Sequence, residues 1–255
     1  LPKLKDDQDG SGFVTLQSGF GYSPIGMEKL VEGQYTFLHL IYDKSGSVNS
    51  FGDTMKILHE TLMEACKNLP TVQNLIIRTT TFASGSIQEV HGFKLHADID
   101  PAADYPRFDD CIGGTNLYDA IFSSIEACKK EGDRLYDAGY DVNGVVIIIT
   151  DGAENISNKI HASSEIAALV TSIKRGEKVN ALTTVLVGVK DPKDTQNAAW
   201  VSLISVALDD LAKEAKLDKY VDIGDATVKV MTKLAWDISQ VTSEVSQRVV
   251  SQLVF

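Results

Sequence analysis

Residues 144–150 read GVVIIIT, an uninterrupted apolar run that surfaces at Thr150-Asp151-Gly152. A run that is apolar at every position suits a central parallel strand covered on both faces, not a half-exposed one. Before it, residues 98–114, with Pro101, Pro106 and the pair Gly113-Gly114, read as a loop, and Leu117, Ile121, Ile125 and Cys128 then mark one face of a helix. After it come a helical stretch (161–175), the strand ALTTVLVGV (181–189), a second helix (200–216) and the short strand KYVDI (219–223). Upstream, YTFLHLIYD (35–43) is rich in β-branched and aromatic residues, as strands are. Residues 53–69 then place Met55, Leu58, Leu62, Cys66 and Leu69 at helical spacing. NLIIRTTTFAS (74–84) is another strand, and SIQEVHGFKLHADI (86–99), after the turn signal Ser84-Gly85, is expected to run antiparallel to it. Strands alternating with helices predict an α/β fold. The expected form is a doubly wound, mostly parallel sheet with one antiparallel edge strand and helices on both faces.

Residues 1–34 are polar and Gly-rich and read as an N-terminal arm, pinned to the domain by Phe20 and Tyr22. Asp6, Asp7, Asp9 and Gly10 hint at a calcium loop, but that register puts Lys5 and Leu16 at ligand positions, where neither can serve. The domain proper is expected over 35–255. It closes with a long helix whose stripe is Val228, Met231, Leu234, Ile238, Val241, Val245 and Val249, ahead of the apolar terminus VVSQLVF (249–255).

Composition excludes several functions. The chain of 255 residues is 44% apolar, enough for a sizeable core, and its net charge is −11. No run of Lys and Arg exceeds two residues, so a nucleic-acid partner is not expected. No apolar stretch reaches membrane-span length. Cys66, Cys111 and Cys128 lack metal-type spacing and cannot all pair, which favours free thiols and a cytoplasmic setting. No signal peptide is legible, and a first residue of Leu rather than Met leaves a processed N-terminus open. Nothing in the pattern sets an oligomeric state.

Three loops carry more oxygen than a turn needs. Asp43-Lys44-Ser45-Gly46-Ser47 follows a strand, Gly113-Gly114-Thr115-Asn116 enters a helix, and Thr150-Asp151-Gly152 ends GVVIIIT. Each alone has an ordinary explanation: Ser45 or Ser47 as a helix N-cap, Asp151-Gly152 as a plain turn. In open α/β sheets, however, ligands bind beyond the carboxyl ends of strands, where the strand order reverses. Two carboxylates brought together there repel unless a cation neutralises them. Asp, Ser and Thr oxygens suit Mg²⁺ better than zinc, which would want His or Cys.

The set Asp43-x-Ser45-x-Ser47, Thr115 in GGTN and Asp151 in TDG resembles the metal-ion-dependent adhesion site of von Willebrand factor A (VWA) domains, over roughly residues 35–240. All five positions match. The resemblance implies a Rossmann-like VWA fold that binds Mg²⁺, with Mn²⁺ or Ca²⁺ as alternatives. It further implies that Ser45, Ser47 and Thr115 bind the ion directly, while Asp43 and Asp151 act mostly through water. One coordination position is left for an Asp or Glu of a protein partner. Direct ligation by Asp151 would mark a resting form, and the family couples that exchange to movement of the last helix. The implied role is adhesion-type protein binding, with Lys44, Asn116, Glu154, Asn155, Lys159 and His161 on the partner-binding rim. The alternative is a Mg²⁺-dependent hydrolase or phosphatase of the haloacid dehalogenase type, which wants a second Asp where Ser45 stands. His39, His59, His91, His96 and His161 are scattered, and no nucleophile elbow or phosphate loop occurs, so no catalytic residue is expected.

Overall fold

A computed structural model describes residues 12–176, 179, 181–192 and 198–247 of the chain. The acidic stretch at 6–10 and the terminus VVSQLVF therefore lie outside the described residues. A short hairpin, β1 (Val14–Thr15) and β2 (Gly21–Tyr22), precedes the main sheet. The sheet strands are β3 (Gln34–Asp43), β4 (Leu75–Ala83), β5 (Ser86–Leu95), β6 (Asp141–Thr150), β7 (Ala181–Lys190) and β8 (Lys219–Asp225). The helices are α1 (Gly52–Lys67), α2 (Pro101–Asp104), α3 (Leu117–Asp137), α4 (Ser163–Arg175), α5 (Ala198–Glu214) and α6 (Val228–Ser246).

Strand order is β5-β4-β3-β6-β7-β8, with only the β4–β5 pair antiparallel. The chain builds outward from β3 to one edge, then returns to β3's other side with β6 and builds to the opposite edge. The order thus reverses between β3 and β6, the two strands that deliver Asp43 and Asp151.

Alternation along β3 explains the two cores. Phe37 and Ile41 face α3, α4 and α5, whereas Leu38, Leu40 and Tyr42 face α1 and α6. GVVIIIT divides likewise, Val146 and Ile148 to the first side and Val145, Ile147 and Ile149 to the second. Both faces are covered, and for that reason the run has no polar alternation.

Three local outcomes differ from the sequence reading. The segment 12–34 is part of the core, with Leu16, Tyr22, Ile25 and Leu30 buried in the α3-side cluster. Three carboxylates hold its backbone: Glu126 accepts from the Gln17 (2.6 Å) and Ser18 amides, Glu89 from Ser23, and Glu131 from Ile25 (2.9 Å). Such long-range side-chain acceptors leave no local periodicity to read. The stretch between β5 and α3, expected as loop, contains the one-turn α2, capped by Asp100 accepting from the Ala102 amide and opened by Pro101. In α6 the expected stripe is buried from Met231 to Val241, but Val228 at the first turn is exposed. The three cysteines are free and buried. Among the described residues no helix is long and apolar enough to cross a membrane.

Candidate functional site

Tyr42 of β3 pairs with Ile149 of β6, so Asp43 and Thr150 leave the sheet side by side. Asp43 is fully buried and takes two hydrogen bonds, from the Thr150 hydroxyl to Oδ2 (2.6 Å) and from the Ser45 amide to Oδ1 (2.7 Å). The chain then tightens into a 3₁₀ turn, Gly46–Ser50. Ser45 occupies the N-cap of that turn, yet its hydroxyl makes no capping bond; Oγ lies 3.2 Å from Ser47 Oγ instead. The N-cap explanation of these serines therefore fails. Ser47 Oγ in turn donates to Asp151 Oδ1 at 2.9 Å, which links the first and third loops directly.

Thr115 enters from the second loop. It is buried, and a Cβ placed on Gly152 would stand 3.0 Å from its Oγ1, so the glycine of TDG allows the close approach. Gly113 performs the corresponding service with φ +81°: its carbonyl accepts from the Gly46 amide at 3.0 Å, and any Cβ there would collide with Ser84 Oγ. Backbone bonds from Ile112 to the Lys44 carbonyl and from Ser84 to the Gly114 carbonyl complete the stitching. Asp43, Ser45, Ser47, Thr115 and Asp151 are thus brought to one crevice at the switch point.

The electrostatics of the crevice fit a cation. Burial pushes the Asp151 carboxyl up to about 7, and the neighbouring Asp43 carboxylate adds to the rise. Burial raises Asp43 as well, against the hydrogen bonds from Thr150 and Ser45 that favour its ionised form. No Lys or Arg among the described residues pairs with either. Nor do three or more His, Cys, Asp or Glu gather in a metal-type cluster among the described residues. The donor set is three hydroxyls with two carboxylates, which are hard oxygen ligands matched to Mg²⁺ or Ca²⁺ rather than to zinc.

The expected rim divides in two. Asn116 is buried and donates to the Ser86 carbonyl. Glu154 turns inward to accept from the Tyr118 amide (2.7 Å) and from Ser157, and Asn155 Oδ1 accepts from the Thr115 amide (2.8 Å). All three side chains fasten the loops, and Glu154 does so by taking up a free amide in the first turn of α3. Lys159 and His161 remain exposed near the entry to α4, and Lys44 is partly exposed. Two supporting roles escaped the sequence reading. Thr150 orients Asp43, and buried Asp119 accepts from the amides of Asn158, Lys159 and Ile160, fixing the loop that follows Asp151. An Asp in the first turn of a helix, as Asp119 is, was the available signal.

No family model matches the chain, and no curated protein does. Solved structures do. The PilB minor pilin from Streptococcus sanguinis is similar over 85% of this chain and 63% of its own, with 14% identity and TM-score 0.54. Proximal thread matrix protein 1 from the mussel byssus is similar over 84% of this chain and 48% of its own, with 19% identity and TM-score 0.51. The chain thus spans about half to two thirds of these two proteins. The SpRpn10 VWA domain overlays 80% of this chain and 94% of its own at 11% identity, with TM-score 0.46, too loose an overlay to carry weight. At such identities the likeness to the pilin and the thread protein is one of fold.

Proposed function

We propose that this chain is a VWA-type protein-binding module. In this reading Ser45, Ser47 and Thr115, backed by Asp43 and Asp151, hold a divalent cation, Mg²⁺ foremost, and the cation engages an Asp or Glu of a protein partner. The observation that carries the reading is the buried carboxylate of Asp43 and the partly buried one of Asp151, gathered with three hydroxyl side chains at the switch point and, among the described residues, without a cationic side chain paired to either. A bound ion would supply the missing positive charge and, ligated largely by neutral hydroxyls, would keep an affinity for an outside carboxylate. The likeness in fold to a minor pilin and a thread matrix protein supports binding over catalysis. So does the chemistry of the crevice, where Ser45 occupies the position at which a phosphatase would hold its acid/base.

Calorimetric titration of EDTA-stripped protein with Mg²⁺ and Mn²⁺, wild type beside Asp43→Ala, tests this. Saturable binding that the variant loses is the expected result; absence of binding in the wild type would remove the metal from the reading and leave the fold. Hydrolysis of p-nitrophenyl phosphate with Mg²⁺, lost in the same variant, would favour the phosphatase instead.

A further inference from the structure

Helix α1 carries His59 inward against the sheet, where it is buried. Its Nδ1 lies 3.1 Å from Tyr42 Oη, but its Nε2 is buried with no hydrogen-bond partner among the described residues. What stands over the ring is a short segment. Residues 100–108 cross α1 as the one-turn α2 followed by Tyr105-Pro106-Arg107-Phe108. The partly exposed Tyr105 meets the imidazole edge-on at 4.6 Å, and Phe108 meets Tyr42 at 5.6 Å. The seam is loosely filled: a cavity of about 470 Å³ lies between Lys56 and Glu60 of α1 and Pro101, Tyr105 and Pro106 of the segment. The imidazole faces Tyr42 from β3, Tyr105 from the segment and, within electrostatic reach, His91 from β5, beside which the Lys94–Asp104 pair sits. Cys66, further along α1, lies near both tyrosines. His91 also has a buried Nε2 without a partner, while its Nδ1 donates to the Gly92 carbonyl at 2.8 Å. A proton on His59 would therefore place a charged N–H in the seam with no acceptor, and burial pushes the group down to about 3.

We propose that residues 100–108 form an acid-operated latch on α1. His59 takes up a proton only once Tyr105 lifts away, so acid populates a state in which the segment has left the helix while the sheet stays folded. This holds whether or not the crevice takes up a cation. An uncovered His59 gains its proton near pH 6.5 and the covered one does not, so each pH unit below that favours opening by up to about tenfold. A segment of nine residues seated on one aromatic contact and a loose seam belongs to the low-stability end of a fold, where local opening precedes global unfolding. The chain runs on through Cys111, whose thiol donates to the Phe108 carbonyl, to Ile112 and Gly113, which bond the Lys44 carbonyl and the Gly46 amide. The latch thus adjoins the backbone stitching of the crevice.

Amide hydrogen exchange of the full chain, read by mass spectrometry and corrected for the intrinsic rate at each pH, tests this. Opening of the peptide covering 100–108 should rise about eightfold between pH 7 and pH 5.5, the ratio for one uncovered histidine, while residues 144–150 of β6 keep their protection. In His59→Gln the rise should vanish. A rise that persists in that variant, no rise in the wild type, or an equal loss of protection in β6 would each overturn the latch. Should His59→Gln not fold, Tyr105→Ala decides the matter by imidazole ¹⁵N NMR. With the cover removed, His59 should titrate above about pH 5.5; a ring that stays neutral below pH 5 would show that Tyr105 does not control its proton and would overturn the proposal.

Discussion

Asp151 illustrates how one residue can oppose folding and serve a site. Its carboxylate is partly buried beside Asp43, so ionising it without a cation costs free energy in the folded state only. Asp151→Asn should therefore stabilise EDTA-treated protein at pH 8 by about 1–2 kcal/mol in chemical denaturation, while weakening Mg²⁺ binding at least tenfold in calorimetry. Histidines give the pH dependence its other sign. Burial pushes His59 down to about 3 and holds His39 well below its ordinary value, so both stay neutral in the fold. The unfolded chain takes up protons below about pH 6.5. Stability should thus fall as pH drops from about 6.5 toward 3, by at most about 1.4 kcal/mol per pH unit for each histidine. His59 lies 3.1 Å from Tyr42 Oη and edge-on to Tyr105, so His59→Gln should lower stability at pH 7 yet flatten its acid slope. A slope unchanged in the variant would assign it to other groups.

At the scale of elements, the 112–115 loop joins the strand ends. Its backbone bonds reach the β3 turn through Gly46, the β4–β5 turn through Ser84, and the loop after β6 through Asn155. Gly113 is the position with no substitute, because it combines φ +81° with contact against Ser84. Gly113→Ala should cost about 1–3 kcal/mol and reduce Mg²⁺ affinity even though residue 113 offers no ligand. A variant with full affinity would show that Thr115 is positioned without this loop. Helix α3, which follows Thr115, is held by acceptors that cap its first turn, Glu154 at the Tyr118 amide and Ser157 at the Asp119 amide. The loop following Asp151 is in this way tied to α3.

At the scale of the whole molecule, the hairpin and the chain up to β3 belong to the domain. Tyr22 meets Phe93 edge-on at 5.6 Å, and Glu131, wholly buried, links the Ile25 amide to Arg134. A protein shortened to 35–255 should lose several kcal/mol, since each buried Leu, Ile or Tyr side chain contributes roughly 1.5–3. Loss of the cooperative thermal transition would be the measured sign, and an unchanged midpoint would return the segment to the status of an appendage. Glu131→Ala in the full chain should cost about 3 kcal/mol by leaving buried partners without their acceptor.

The sequence by itself determined the alternation of strands and helices, the antiparallel edge and the three oxygen-rich loops. These are local: periodicity, turn chemistry and ligand type are written in neighbouring residues. It could also place Asp43 and Asp151 at strand ends, because each closes an apolar run. Only the tertiary structure decided that β3 and β6 are neighbours, which is what brings those two carboxylates into one crevice. It likewise decided that Glu154 turns toward the Tyr118 amide, that Asn155 holds the Thr115 amide, and that residues 12–34 contribute to the core. Each of these outcomes depends on a partner some 40 to 110 positions away, or on a strand order that no local pattern encodes. Polar residues look alike in sequence whether they face a ligand or an orphaned helix amide, and only the fold says which donor lies within reach.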